Sequence, residues 1–89
     1  MGFPEDQMPE SISITIQSPR GTQSFTFEKT AKIGEVIEAA RLQFGFEPGA
    51  FELRRQSTNE VLAADRPLIS YHIVNGETLL LVPEMGSGV

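Results

Sequence analysis

Polar and apolar residues alternate strictly over Ser11-Ile12-Ser13-Ile14-Thr15-Ile16 and again over Ser24-Phe25-Thr26-Phe27-Glu28. A period of two sends every second side chain to the same face. Each stretch therefore predicts a half-buried strand, the first with its isoleucines inward. Between them Ser18-Pro19-Arg20-Gly21-Thr22 carries the proline and glycine of a turn, so the two strands read as a hairpin. The period then changes. Ile33, Val36, Ile37 and Ala40 recur at i, i+3, i+4 and i+7, one buried face of a helix that also carries Leu42 and Phe44. Thr30 is the expected N-cap, with Gly34 weakening the first turn. Gly45 is the expected left-handed stop, Pro48 follows it, and Phe46 is expected to fold back on the helix end.

Phe51 to Arg55 reads as a third strand with Leu53 inward. Gln56 to Glu60 is a polar turn and Val61-Leu62 a short strand. Ala63 to Pro67 is a loop, Leu68 to Ile73 a short helical turn, and Asn75-Gly76 a tight turn. Glu77 to Val82 is the last strand, and its unbroken apolar run predicts burial on both faces. The order β-β-α-β-β-β predicts an α+β fold. Its first and last strands, the most hydrophobic, pair in parallel at the centre of a mixed sheet, and one helix packs on that sheet. This is a β-grasp with Ile14, Ile16, Phe27, Val36, Ala40, Leu53, Leu62, Leu79 and Leu81 in one core. The first ten residues hold Pro4, Pro9 and three acids without periodicity, and predict a disordered arm. The domain is expected over 11–82 and a flexible tail over 83–89.

Composition narrows the function. Eighty-nine residues make one domain. A net charge of −5 disfavours nucleic acid as a partner, because phosphates are met by Lys and Arg. The chain has no cysteine, which removes disulfides, thiolate metal sites and a cysteine nucleophile and is compatible with a cytoplasmic location. No apolar run reaches the roughly 18 residues that would span a bilayer. His72 stands alone without a metal or triad pattern around it. No phosphate-binding glycine loop, nucleophile elbow or paired carboxylates occur. The chain reads as a monomeric non-enzyme without a cofactor or metal.

From Ile12 to Val82 the chain resembles ubiquitin. Ile12, Ile14 and Ile16 match its first strand. Lys32-Ile33-Gly34-Glu35-Val36 matches the start of its helix, and Gly45-Phe46-Glu47-Pro48 the turn that follows. Leu68-Ile69-Ser70-Tyr71-His72-Ile73 through Thr78-Leu79 matches its last loop and the opening of its last strand. The resemblance implies a structural Tyr71 whose side chain anchors that loop to backbone. It also places Arg54 where the family has its central isoleucine and Pro19 where it has the leucine of the first turn. Val82 alone of that recognition patch is retained. Arg54 and Arg55, adjacent on a strand and so facing opposite ways, are partner-docking candidates together with Leu80 and Val82.

Beyond the last strand run Pro83-Glu84-Met85-Gly86-Ser87-Gly88-Val89. Counted from Tyr71 without gaps, Gly88 falls on ubiquitin's terminal glycine and Ser87 on the penultimate one. Val89 is then a single extra residue, as on modifier precursors. The resemblance thus implies a protein modifier of a prokaryotic conjugation system. A processing peptidase would trim Val89, an activating enzyme would adenylate Gly88, and Gly86 and Ser87 would thread the tail into its site on the way to target proteins. Ser87 breaks the diglycine, and Ser87 and Val89 count against sulfur carriage as in the ThiS and MoaD families. Leu68, Tyr71, Ile73, Asn75, Gly76, Glu77 and Leu79 also resemble the ending of YukD-like proteins of type VII secretion systems. That likeness implies a non-covalent adaptor instead.

Overall fold

The computed structural model of the protein describes residues 11–84. The arm expected over 1–10 lies outside the described residues, as does the tail from Met85 onward.

Both alternating stretches form strands, each longer than the strict alternation. β1 is Ser11–Ser18 and β2 is Gly21–Glu28, paired antiparallel along their full length from Ser18↔Gly21 to Ser11↔Glu28. Helix α1 covers Ile33–Phe44. Then come β3 (Phe51–Arg55), β4 (Val61–Leu62), a 3-10 turn at Leu68–Tyr71, and β5 (Thr78–Pro83). The five strands form one mixed sheet in the order β2-β1-β5-β3-β4. β1 and β5 are parallel, with Ile16 beside Leu79 and Gln17 beside Leu80. The fold is the α+β architecture expected from the chain.

The helix lies on one face of this sheet. Ile12, Ile14 and Ile16 of β1, Leu79 and Leu81 of β5, Leu53 and Leu62 meet Ile33, Val36, Ala40 and Phe44 there, and Leu68 and Ile73 close the end. Eight of the nine expected core residues are buried. Phe27 is the exception: it is only half-buried, because β2 is an edge strand and the helix does not reach past it. It stacks instead on Phe25, with ring centroids 5.9 Å apart. Phe25, Phe44, Phe46 and Phe51 continue as a row of tilted aromatic pairs at 5.3–6.3 Å, a favoured geometry for such rings.

The helix ends by two different means. Gly45 takes a left-handed φ of 80°, with its N–H bonded to Leu42 O and the Phe46 N–H to Arg41 O. That is the expected glycine stop, and Phe46 folds back onto Phe44 as expected. The start differs from expectation. The N-cap is Lys32 and not Thr30, which sits two residues early in a turn. No side-chain cap is needed, because the loop before the 3-10 turn supplies acceptors. Ile33 N–H bonds Arg66 O at 2.8 Å and Gly34 N–H bonds Ala64 O at 2.9 Å. Glu35 accepts the Lys32 N–H at 3.3 Å. Gly34 has its reason in that contact. A Cβ there would stand 3.3 Å from Ala64 O, tighter than most such contacts.

The core assignment has a direct consequence. Leu79 is fully buried on the central strand, so Leu79→Ala should lower stability by about 2–5 kcal/mol, read as the shift in a urea unfolding curve. An unchanged midpoint would contradict the packing.

Candidate functional site

The alternation that fills the core leaves the other sheet face open. On β5, Leu79 and Leu81 go under the helix, while Leu80 and Val82 turn to the open face and stay half-buried. The apolar run is thus not buried on both sides, as its composition suggested. It is buried on one side only, because the single helix covers one face. Register places the neighbours. Leu80 lies between Gln17 of β1 and Arg54 of β3, and Val82 lies opposite Glu52. Val61 of β4, 49% exposed, flanks Arg54. At the edge of this face a shallow hollow of about 250 Å³ is lined by Gln17, Ser18 and Pro19 on one side and by Leu80, Leu81, Val82 and Pro83 on the other.

The open face is electrically quiet at its centre. Arg54 Nε donates to Glu52 Oε2 at 2.6 Å, and its Nη1 to Asn59 Oδ1 at 3.3 Å. Residues i and i+2 of a strand share a face, which is why Glu52 and not a distant acid is the partner. Asn59 sits at φ 64°, a left-handed turn position that asparagine tolerates. Glu52, Asn59 and Val61 are neighbours of Arg54 on this candidate face that were not named from the sequence. The i, i+2 spacing of Glu52 and Arg54 was a readable signal for one of them.

Arg54 and Arg55 face opposite ways, as strand geometry requires, and their roles separate. Arg55 is bound inside the domain. Its Nε donates to Glu77 Oε2 at 2.5 Å, its Nη2 to Tyr71 O at 2.8 Å, and Glu60 lies 3.8 Å from its Nη1. The side chain is 19% exposed and Glu77 13%. The Glu77 hydrogen bond raises the Arg55 pKa further. Burial pushes the Glu77 carboxyl up. The Arg55 bond, the Val74 N–H and the Arg55 charge outweigh that push and hold the carboxyl below its ordinary 4.5. The docking candidacy therefore rests on Arg54.

The remaining expected residues fall as follows. The Tyr71 hydroxyl accepts the Ala63 N–H at 2.7 Å, so it anchors the loop as the resemblance implied. His72 closes the 3-10 turn at φ 57°. The described residues hold no cluster of metal-ligating side chains, and no described helix is long and apolar enough to cross a membrane. β5 runs to Pro83, opposite Phe51, and the Glu84 N–H bonds Ala50 O at 2.9 Å. Strand pairing thus continues one residue past Val82, to Pro83, and one further backbone bond reaches Glu84. Gly86, Ser87, Gly88 and Val89 lie outside the described residues.

Comparison with known proteins agrees on the fold. No protein-family model matches the chain. It is 31% identical over 84 residues to the human nuclear protein localization protein 4 homolog, covering 91% of this chain and 14% of that protein. The mouse protein of that name matches to the same extent. The chain therefore spans about one seventh of the length of these relatives. Among solved structures, a de novo designed protein based on ubiquitin superposes with a TM-score of 0.75 at 26% identity, over 91% of this chain and 99% of that one. A chain of a pParkin-pUb-UbcH7 complex gives 0.74 at 21% identity, over 84% of this chain and 23% of that one. The architecture is the ubiquitin-like β-grasp.

The Arg55–Glu77 pair should be visible in the acid limb of stability. A carboxylate whose folded pKa is depressed adds stability that is present above 4.5 and is lost as pH falls through the folded value. Glu77→Gln should cost about 1–3 kcal/mol at pH 7 and should flatten the fall in stability below about pH 4.5. Parallel pH profiles for variant and parent would show that the pair does not stabilise the fold.

Proposed function

We propose that this ubiquitin-like β-grasp is a non-enzymatic interaction domain that docks partner proteins without covalent linkage, through the open face of its sheet. The observation that carries this reading is the placement of Leu80 and Val82. Both sit on a central strand and stand half-exposed beside the hollow at Pro19 and Pro83. Uncovered aliphatic side chains framed by Gln17 and by a neutralised Arg54–Glu52 pair have the make-up of an interface centre, apolar within and polar at the rim. The absence of a free charge at the centre matters, because an unpaired guanidinium would have to be desolvated on docking.

The test uses the full chain with Leu80→Asp and Val82→Asp together. Neither side chain is in the core, so the urea midpoint should stay close to the parent's. Capture of a partner identified with the parent chain should weaken about tenfold or more, as for loss of a central apolar contact. Partner capture unchanged in a folded double variant would overturn the reading.

A second reading rests on a separate observation, the spacing from the anchored Tyr71 to Gly88. Under it, a peptidase removes Val89 and the Gly88 carboxylate attacks the α-phosphate of ATP, releasing pyrophosphate. A lysine amine of a target then displaces AMP to form an isopeptide. Mass spectrometry of the tagged protein from its own cells decides between the two. Gly88 joined to lysine, lost on deleting Gly88 and Val89 together, would establish conjugation. Recovery of the tagged chain at its unmodified full-length mass alone leaves the docking reading standing.

A further inference from the structure

The seven cationic side chains of the protein are not used alike. Arg41 pairs with Glu38, Arg54 with Glu52 and Arg55 with Glu77. Arg20 donates to Gly45 O at 2.8 Å and lies 4.6 Å from the centre of the Phe46 ring. The three that remain, Lys29, Lys32 and Arg66, make no ion pair among the described residues, although Glu28, Glu35 and Asp65 are their neighbours in sequence.

Folding gathers these three at one end of the domain. The Ile69 N–H bonds Lys29 O at 3.0 Å, the Leu68 N–H bonds Ala31 O at 2.9 Å, Lys32 bridges Pro67, and Arg66 O accepts the Ile33 N–H. The two loops, 29–32 and 66–69, are thus laced together by backbone. Beside them, a groove of about 250 Å³ runs between Lys29 and His72, walled by Ile12, Ile69, Ile73 and Val74. Ile69 is 50% and Val74 60% exposed, two of the four exposed large hydrophobic side chains among the described residues. The groove thus joins Lys29 to exposed aliphatics, with Lys32 and Arg66 on the adjoining loops, three cations without an ion pair among the described residues on a chain whose net charge is −5.

We propose that this end of the domain is a second docking surface, distinct from the open sheet face, for an acidic segment of a partner protein with apolar residues interleaved among its carboxylates. Charge complementarity selects the occupant. On a chain of net charge −5, these cations without ion pairs among the described residues are where carboxylates of an acidic segment would be met, by Lys29, Lys32 and Arg66, with an aliphatic or aromatic side chain in the groove. The attraction acts over a Debye length of about 10 Å and is therefore sensitive to salt. Short-range apolar contact with Ile69 and Val74 is not screened in this way.

The experiment is an amide chemical-shift titration of the isotopically labelled full chain with the peptide Glu-Leu-Asp-Phe-Glu-Leu-Asp-Phe. A second probe has every acid of that peptide replaced by lysine. The acidic peptide should shift amides of residues 29–33 and 66–74, and the lysine peptide should not. Binding should weaken about tenfold in the triple variant Lys29→Glu, Lys32→Glu, Arg66→Glu, and again on raising salt from about 50 to about 300 mM. Ile69→Ser with Val74→Ser, both exposed and outside the core, should also weaken it. Shifts centred on Leu80 and Val82 would overturn the proposal, as would equal affinity for the charge-reversed variant. So would much tighter binding by a variant with Glu5, Asp6 and Glu10 changed to Gln, since that would assign the surface to the chain's own acidic residues.

Discussion

The structure depends on one pairing, the parallel contact of β1 with β5. Thr15 lies beside Thr78, Ile16 beside Leu79 and Gln17 beside Leu80, joining the first strand of the domain to the last. Such a pairing closes the longest loop in the fold, and nothing local can form it. It becomes favourable only when the helix covers it, because Ile14, Ile16, Leu79 and Leu81 then leave water together. Once the register is fixed, every other face follows. A slip by one residue would send the core leucine pair outward and bring Leu80 and Val82 in.

The loop between β4 and β5 serves that pairing from several sides. The Ala64 and Arg66 carbonyls cap the helix, Tyr71 ties the loop to Ala63, and Arg55 reaches across from β3 to Glu77 and to the Tyr71 carbonyl. Asn75 accepts the Ser13 N–H at 2.7 Å, and the Gly76 N–H bonds Ser13 O, also at 2.7 Å. These bonds deliver β5 to β1 in one register. The same loop carries Arg66, which makes no ion pair among the described residues, and the exposed Ile69 and Val74, so the bonds that hold the segment and its exposed side chains belong to different residues.

Local pattern made most of the fold legible. Strict alternation gave β1 and β2, the i, i+3, i+4, i+7 spacing gave the helix face, and Gly45 gave its end. What the chain concealed was tertiary in origin. Thr30 looked like the N-cap because it has the right side chain, yet the acceptors, Ala64 O and Arg66 O, come from the loop after β4, far along the chain. The run Leu79 to Val82 looked buried on both sides because composition cannot say that only one face receives a helix. Arg55 looked like the twin of Arg54, and its partner Glu77 lies 22 residues on. The open-face residues Leu80, Val82 and Arg54 were nameable beforehand, and the i, i+2 spacing of Glu52 and Arg54 was legible too, although only the side-chain geometry shows the two bonded.

Buried and half-exposed side chains alternate along β5, residue by residue. Urea unfolding of Leu80→Ser beside Leu81→Ser tests that alternation most directly. Leu81 is 1% exposed, and a serine there should cost about 3 kcal/mol or more, while the same change at Leu80 should cost less than about 1 kcal/mol. Equal losses at the two positions, or a larger loss at Leu80, would contradict the assigned register and with it the open face.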